Sequence, residues 1–167
     1  MFEAAGDDPT EASNPASTAS SPQRLFSDSK SNAHEVEIVQ SHLKLLFSHG
    51  LSPTQVTLLA PYSAQVSALA AAFPPSEYPG MEVGTIDALQ GREQEVVVIS
   101  LVRSNEEGEV GFLSEKRRLN VAMTRAKRQL VVVGDSETIR KGGQRDYLEH
   151  WMEWLDQRAF VEPVLPV

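Results

Sequence analysis

The chain has 167 residues, a formal net charge of -8 and no cysteine, and 41% of its residues are hydrophobic. That length fits one domain with a sizeable core, because domains commonly run to roughly 100–200 residues. The lack of cysteine excludes a disulfide scaffold, a thiolate metal site and a cysteine nucleophile. The acidic total argues against a protein that holds nucleic acid by bulk charge alone.

The N-terminal region differs in composition from the rest of the chain. Small and polar residues dominate from Pro9 to Pro22, which predicts a flexible low-complexity segment over residues 1–27. The folded domain is expected over residues 28–158, with a C-terminal tail over residues 159–167.

No apolar run approaches the roughly 18 residues of a membrane span, and no signal peptide is visible. We therefore expect a cytoplasmic and/or nuclear chain with no membrane partner.

Hydrophobic spacing predicts helices and strands from Glu35 onward. Apolar residues spaced by three and four predict amphipathic helices, and short β-branched runs predict buried strands. The predicted elements in chain order are a helix ending at Gly50, a strand over Gln55–Ala60, a helix over Ser63–Phe73, strands over Met81–Thr85 and Glu95–Val102, a helix over Lys116–Ala126, a strand over Gln129–Gly134 and a helix over Asp146–Asp156. Short strands alternating with helices indicate an α/β fold, with a parallel sheet and helices on both faces.

In such sheets the ligand site lies beyond the carboxyl ends of the strands. Pro61, Tyr62 and Gln65 follow the first predicted strand, where a ring and an amide could face a ligand; an ordinary strand–helix turn is the alternative. The segment Gly84–Glu93 is dense in small and polar groups. Such loops can place backbone N–H groups on phosphates while a carboxylate addresses a ribose or a magnesium-bound water.

Two arginines lie along one edge of the predicted helix over Lys116–Ala126. Arg118 and Arg125 fall beside the stripe of apolar residues that is expected to face the core. Paired guanidinium groups suit a polyphosphate, because arginine makes bidentate contacts to phosphate oxygens. A solvated helix face is the alternative interpretation. The chain contains no Gly-Lys pair, so the phosphate loop G-x-x-x-x-G-K-[ST] is absent. The pattern is typical of half of a two-domain motor.

Three ordered segments carry a family resemblance. LLAPYSAQV resembles helicase motif IV, VGTIDALQGREQEVVVISLVRSN resembles motif V, and GEVGFLSEKRRLNVAMTRAKRQLVVVGD resembles motif VI. An S-x-x-N-x-x-E pattern from Ser29 to Glu35 resembles a short signature of the same group. Together they resemble the second RecA-like domain of superfamily-one helicases, in the Upf1-like group and most like the immunoglobulin-mu-binding-protein type. The resemblance covers most of the foldable chain and implies a RecA-like P-loop NTPase fold that lacks its phosphate loop.

The resemblance implies roles for individual positions. Arg125 matches the catalytic arginine that reaches across the interdomain cleft to the γ-phosphate. Arg118 matches a position that holds motif VI in place or senses phosphate, and the nucleotide-contacting set is Glu93, Gly91 and Arg118. The positions that match contacts to single-stranded nucleic acid are Thr85, Asp87, Gln90, Tyr62, Pro61 and Gln65. No residue is assigned to a metal, because ATP and Mg²⁺ are expected to be held mainly by the first RecA-like domain.

The implied function is that of the C-terminal motor domain of an ATP-dependent RNA/DNA helicase. Its expected partners are single-stranded RNA or DNA and the first RecA-like domain of the same polypeptide, without which the chain is expected to be inactive. The alternative is a non-catalytic nucleic-acid- or protein-binding module derived from a helicase. An unrelated doubly wound cofactor-binding enzyme is disfavoured, because no glycine-rich fingerprint follows the first predicted strand.

Overall fold

Helices and strands alternate along the part of the chain that the computed structural model describes, residues 29–89, 93–142 and 146–161. The helices are α1 (Ala33–Ser48), α2 (Ser63–Ala72), α3 (Lys116–Met123), α4 (Ser136–Gly142) and α5 (Asp146–Arg158). The strands are β1 (Val56–Ala60), β2 (Glu82–Thr85), β3 (Gln94–Ser100) and β4 (Ala126–Val133). Short 3-10 turns lie at Pro53–Gln55, Ile86–Leu89 and Gly111–Ser114. No helix within the described ranges is long and apolar enough to cross a membrane.

The described strands form one sheet, in which all neighbours are parallel and the order is β2-β1-β3-β4. Leu58 of β1 is in register with Val83 of β2 on one side and with Val98 of β3 on the other. Val98 in turn is in register with Val131 of β4. Helices cover both faces of this sheet, so the predicted α/β fold is confirmed, and the architecture is consistent with a RecA-like domain.

The two faces of the sheet support two separate apolar cores, because successive side chains of a strand point to opposite faces. In β3, Val96 and Val98 pack with α1 and α2, whereas Val97 and Ile99 pack with α3 and α5. None of these four side chains is more than 4% exposed. The helices contribute Val39, Leu43 and Leu69 to the first core, and Leu119, Ala122, Leu148 and Trp151 to the second.

Most predicted boundaries shift by one or two residues, and the differences with an evident structural cause lie at the end of β3, the end of α3 and the start of β4. The strand predicted to reach Val102 ends at Ser100, because Val102 adopts a left-handed backbone conformation with φ 75°. The helix predicted to reach Ala126 ends at Met123. Ala126 instead begins β4 and is in register with Gln94 of β3, so sheet pairing overrides the local preference of this sequence for helix. The short helix α4 was not predicted.

The assignment of residues to the first core can be tested with two leucines, one buried in this core and one exposed on the surface. Leu58 in β1 is 0% exposed, whereas Leu45 on α1 is 56% exposed. Leu58→Ala is expected to lower the free energy of unfolding by about 2–5 kcal/mol, because it removes buried methyl groups and leaves a cavity. The control Leu45→Ala is expected to change it by less than about 0.5 kcal/mol. Urea unfolding followed by circular dichroism measures both, and equal losses would contradict the assignment of Leu58 to the core.

Candidate functional site

Two of the predicted nucleotide-contacting residues lie at the amino ends of neighbouring strands. Glu93 directly precedes β3, and Arg125 directly precedes β4. The backbone N–H of Gln94 donates to the carbonyl oxygen of Arg125 at 3.0 Å. The structure therefore brings the segments of Glu93 and Arg125 side by side. Gly91, predicted to contact nucleotide, and Gln90, predicted to contact nucleic acid, lie outside the described residues.

The guanidinium group of Arg125 folds back onto the end of its own helix. Its Nε donates to the carbonyl oxygen of Val121 at 3.1 Å, and Nη2 donates to Oγ1 of Thr124 at 3.2 Å. Both acceptors are neutral, and no carboxylate among the described residues forms a salt bridge with Arg125. The charge of Arg125 is thus held in place, and no carboxylate among the described residues neutralises it. The guanidinium group is therefore suited to binding an external anion.

The side chain of Arg118 connects α3 to the turn at Ile86–Leu89. Its Nε lies 3.2 Å from a carboxylate oxygen of Asp87, and its Nη1 lies 3.0 Å from one of Glu115. Thr85, the last residue of β2, directly precedes this turn. The structure thus joins two predicted site residues, Asp87 and Arg118, in one ion pair.

Tyr62 packs against a cluster at the carboxyl edge of the sheet. Pro61 and Tyr62 follow β1 and are half-buried. The hydroxyl of Tyr62 packs so closely against Gly111 that a Cβ at this position would collide with it. Nε of Arg103 would lie 3.4 Å from such a Cβ. Arg103 also donates from Nε to the carbonyl oxygen of Glu109 at 2.9 Å. Arg103 was not among the predicted site residues; its place soon after the end of β3 is the signal that could have identified it.

Gln65 does not reach the surface. Its side chain is 0% exposed, and Oε1 accepts a hydrogen bond from the backbone N–H of Asn32 at 2.7 Å. Nε2 donates to the carbonyl oxygen of Asn32 at 3.1 Å and to Oγ of Ser100 at 2.9 Å. Because both ends of the amide are used within the chain, the structure corrects the prediction that Gln65 contacts nucleic acid. Gln65 instead ties α2 to the end of β3.

The carboxylate of Glu35 lies at the centre of the same polar network. Glu35 is only 3% exposed; it accepts hydrogen bonds from Oγ of Ser100 at 2.5 Å and from the backbone N–H of Val102 at 2.9 and 3.0 Å. Burial raises the pKa of Glu35, which the hydrogen bonds from Ser100 and Val102 only partly offset, and the charge of Asp135 raises it further. The sequence singled out Glu35 only as the last position of the S-x-x-N-x-x-E pattern.

The exposed face of α3 carries basic residues and borders two surface cavities. One cavity of about 420 Å³ lies between α3 and α5, and the other, of about 490 Å³, lies along α3. Lys116 and Asn120 line both cavities, and Arg117 lines the second. Over the described ranges, no group of three His, Asp or Glu side chains is placed to hold a metal ion. This face therefore presents positive charge on the helix that directly precedes Arg125.

A parallel sheet with helices on both faces is the architecture of the RecA-like class of domains. The sequence matches a family described as an AAA domain over residues 9–137. The chain belongs to this family, the C-terminal domains of Upf1-like superfamily-one helicases. The resemblance found in the sequence is thereby confirmed.

Individual relatives agree with the family match. The chain is 46% identical over 134 residues to the DNA polymerase alpha-associated DNA helicase A of Saccharomyces cerevisiae, covering 80% of this chain and 20% of that protein. It is 43% identical over 113 residues to the DNA-binding protein SMUBP-2 of Rattus norvegicus (68% and 11%). It is 39% identical over 137 residues to the regulator of nonsense transcripts 1 homolog of Neurospora crassa (78% and 12%). The chain thus spans a fifth or less of the length of these curated relatives.

The raised pKa of Glu35 predicts a dependence of stability on pH. A carboxyl group with a higher pKa in the folded chain binds more protons there, so the free energy of unfolding falls as pH rises between the unfolded and folded pKa values. For Glu35 this loss begins near its ordinary value of 4.5 and is complete above its raised pKa. Glu35→Gln removes this titration, so the stability of the wild type relative to the variant is expected to fall across that range.

Urea unfolding at a series of pH values from about 4 to 8 measures this difference. Glu37→Gln is the matched control, because Glu37 lies on the same helix with its side chain 73% exposed. The stability of the wild type relative to Glu37→Gln is expected to show no comparable fall. A constant difference between the wild type and Glu35→Gln over the whole range would contradict the raised pKa.

Proposed function

We propose that this domain is the C-terminal motor domain of an ATP-dependent RNA/DNA helicase, and that Arg125 is its arginine finger. The observation that carries the proposal is the guanidinium group of Arg125, held at the end of α3 by neutral oxygens and without a described carboxylate partner. Closure of two RecA-like domains would bring Arg125 to the γ-phosphate of ATP. An arginine placed there stabilises the charge of the transferring phosphoryl group.

The remaining nucleotide contacts of the proposal come from the segment before β3 and from α3. ATP and Mg²⁺ are held mainly by the first RecA-like domain, whose phosphate loop this chain lacks. Glu93 and Gly91 address the nucleotide from the segment that leads into β3. Arg118 acts by holding α3, since its ion pair with Asp87 fixes the helix that Arg125 follows.

The single-stranded nucleic acid is proposed to lie along the turns that follow β1 and β2. Pro61 and Tyr62 supply the first turn, Thr85 and Asp87 belong to the second, and Gln90 follows in the chain. A half-exposed tyrosine ring can stack on a base, and such stacking is independent of sequence. One relative is named a DNA helicase and another a regulator of nonsense transcripts, so the proposal includes both DNA and RNA.

The alternative function is a non-catalytic binding module derived from a helicase. A domain without a phosphate loop cannot cradle a triphosphate alone, so binding without hydrolysis is the activity that this domain could have by itself. The two proposals differ in what Arg125 does. In a motor, its removal abolishes hydrolysis by the two-domain protein, whereas a binding module supports no hydrolysis that its removal could affect.

The isolated chain is expected to hydrolyse ATP no faster than a buffer blank, with or without oligonucleotide. The physical reason is that phosphate loop and metal ligands come from the partner domain in this mechanism. A coupled assay of phosphate release from the purified chain measures the rate. Appreciable turnover that follows the chain through purification would refute the division of the site between two domains.

Arg125→Ala is expected to lower kcat for ATP hydrolysis by about 10³–10⁵ in a helicase that joins this domain to its own first RecA-like domain. Nucleotide affinity, measured with a fluorescent ATP analogue, is expected to stay within about twofold, because the arginine acts mainly on the transition state. Arg140→Ala is the control, since Arg140 pairs with Asp156 on α5. A kcat for Arg125→Ala equal to that of the control would sink the assignment.

A further inference from the structure

The S-x-x-N-x-x-E residues converge on the two turns at the carboxyl ends of β1 and β3. Oγ of Ser29 accepts a hydrogen bond from the backbone N–H of Ala64 at 2.8 Å, at the start of α2. Asn32 caps α1 by accepting from the backbone N–H of Glu35 at 3.2 Å, and its Nδ2 donates to the carbonyl oxygen of Val102 at 3.3 Å. One short segment therefore contacts both turns at once.

Glu35 stabilises a backbone conformation that valine disfavours. A β-branched residue at φ 75° is a genuine outlier and is maintained only where its surroundings compensate. Both oxygens of the Glu35 carboxylate accept from the backbone N–H of Val102. Asn32 binds the carbonyl oxygen of the same residue. Both peptide groups that flank the Cα of Val102 are thus fixed from α1.

The same carboxylate reaches the turn after β1 through a chain of hydrogen bonds. Oγ of Ser100 donates to Glu35 and accepts from Nε2 of Gln65, which lies in the first turn of α2. Tyr62, three residues before Gln65, packs its hydroxyl on Gly111 beside Arg103. Displacement of the Val102 turn would therefore disturb the surroundings of Tyr62 from two directions.

We propose that Glu35 is a positioning residue that holds the turns after β1 and β3 in one shared arrangement, so that nucleic acid at Tyr62 is coupled to the segment that leads through α3 to Arg125. The inference rests on the roles proposed above for Tyr62 and Arg125. It assigns the buried carboxylate a part in coupling, although Glu35 itself contacts neither nucleic acid nor nucleotide. Val102 is the residue on which Glu35 acts directly.

The coupling is measured in a helicase that joins this domain to its own first RecA-like domain. ATP hydrolysis is followed against increasing oligo(rU) or oligo(dT). Glu35→Gln is expected to raise the half-maximal oligonucleotide concentration by about tenfold, the scale of losing one hydrogen bond to a charged group. The half-maximal ATP concentration is expected to change less than twofold. The control Glu37→Gln, at an exposed site on the same helix, is expected to match the wild type in both.

Rescue by a second substitution separates positioning from general destabilisation. Glycine adopts positive φ without steric cost, so Val102→Gly in the Glu35→Gln background is expected to return the oligonucleotide requirement toward the wild-type value. A merely structural role predicts the opposite, because Val102→Gly also removes a side chain that is only 5% exposed. An oligonucleotide requirement for Glu35→Gln equal to that of Glu37→Gln, or a double variant no better than Glu35→Gln, would overturn the proposal.

Hydrogen exchange on the chain itself tests the network without ATP. The amides of Val102, Asn32 and Ala64 donate to Glu35, Gln65 and Ser29, and in Glu35→Gln all three are expected to exchange faster together. Faster exchange at Val102 alone would overturn the link between the turns.

Outcomes that concern the proposed function remain separate from those that concern Glu35. If oligonucleotides do not stimulate ATP hydrolysis by the wild-type helicase, or if Arg125→Ala keeps full activity, the motor assignment is refuted, and the coupling with it. If the wild type is stimulated and Arg125→Ala is inactive, but Glu35→Gln has the same oligonucleotide requirement as Glu37→Gln, only the role of Glu35 is refuted. If Glu35→Gln does not fold, Ser100→Ala removes a single donor to the carboxylate, and its oligonucleotide requirement is interpreted in the same way.

Discussion

The pairing of β3 with both β1 and β4 is the constraint on which the rest of the domain depends. The side chains of β3 alternate between the two cores, so the helices on both faces of the sheet pack against this strand. Its amino end fixes Gln94 against the backbone of Arg125, and its carboxyl end fixes Ser100 against Glu35. At about 3.3 Å per residue the strand separates these two ends by about 20 Å. A coupling between them has to pass along the rigid elements that connect them, and α3 is the helix that runs from one edge toward the other.

The elements that could be predicted from the sequence are those with a strong local signal. β3 and β1 are short apolar runs buried on both faces, and α1 has apolar residues at helical spacing. The end of α3 had no such signal, since no glycine or proline follows Met123 and the backbone leaves the helix to pair with β3. α4 did have one, because Asp135 accepts from the backbone N–H of Glu137 as an N-terminal cap, and an aspartate before a short helical segment is a helix start signal.

The candidate site was predictable as positions along the chain but not as contacts. The family motifs place Arg125 and Glu93, because motif spacing follows the order of strands and helices. They could not show that Gln65 is buried, since its partners Asn32 and Ser100 lie 33 and 35 residues away in sequence. A glutamine in the first turn of a helix looks the same in sequence whether its amide faces solvent or a buried serine. Only the packing of three separate segments decides between the two.

The net charge of the chain says little about the site because the basic side chains differ in their partners. Arg103 and Arg118 each pair with at least one carboxylate, whereas among the described residues Arg125 donates to a carbonyl and a hydroxyl oxygen and to no carboxylate. The carbonyl of Val121 belongs to the last turn of α3, where the helix dipole favours a cation. These two hydrogen bonds join a charged donor to neutral acceptors, and releasing them costs no more than about 1.5–3 kcal/mol each. Bidentate bonds to phosphate oxygens pair the same guanidinium group with a negative charge instead. The end of α3 can therefore hold the guanidinium group in a defined position and still release it to a phosphate that enters the cleft.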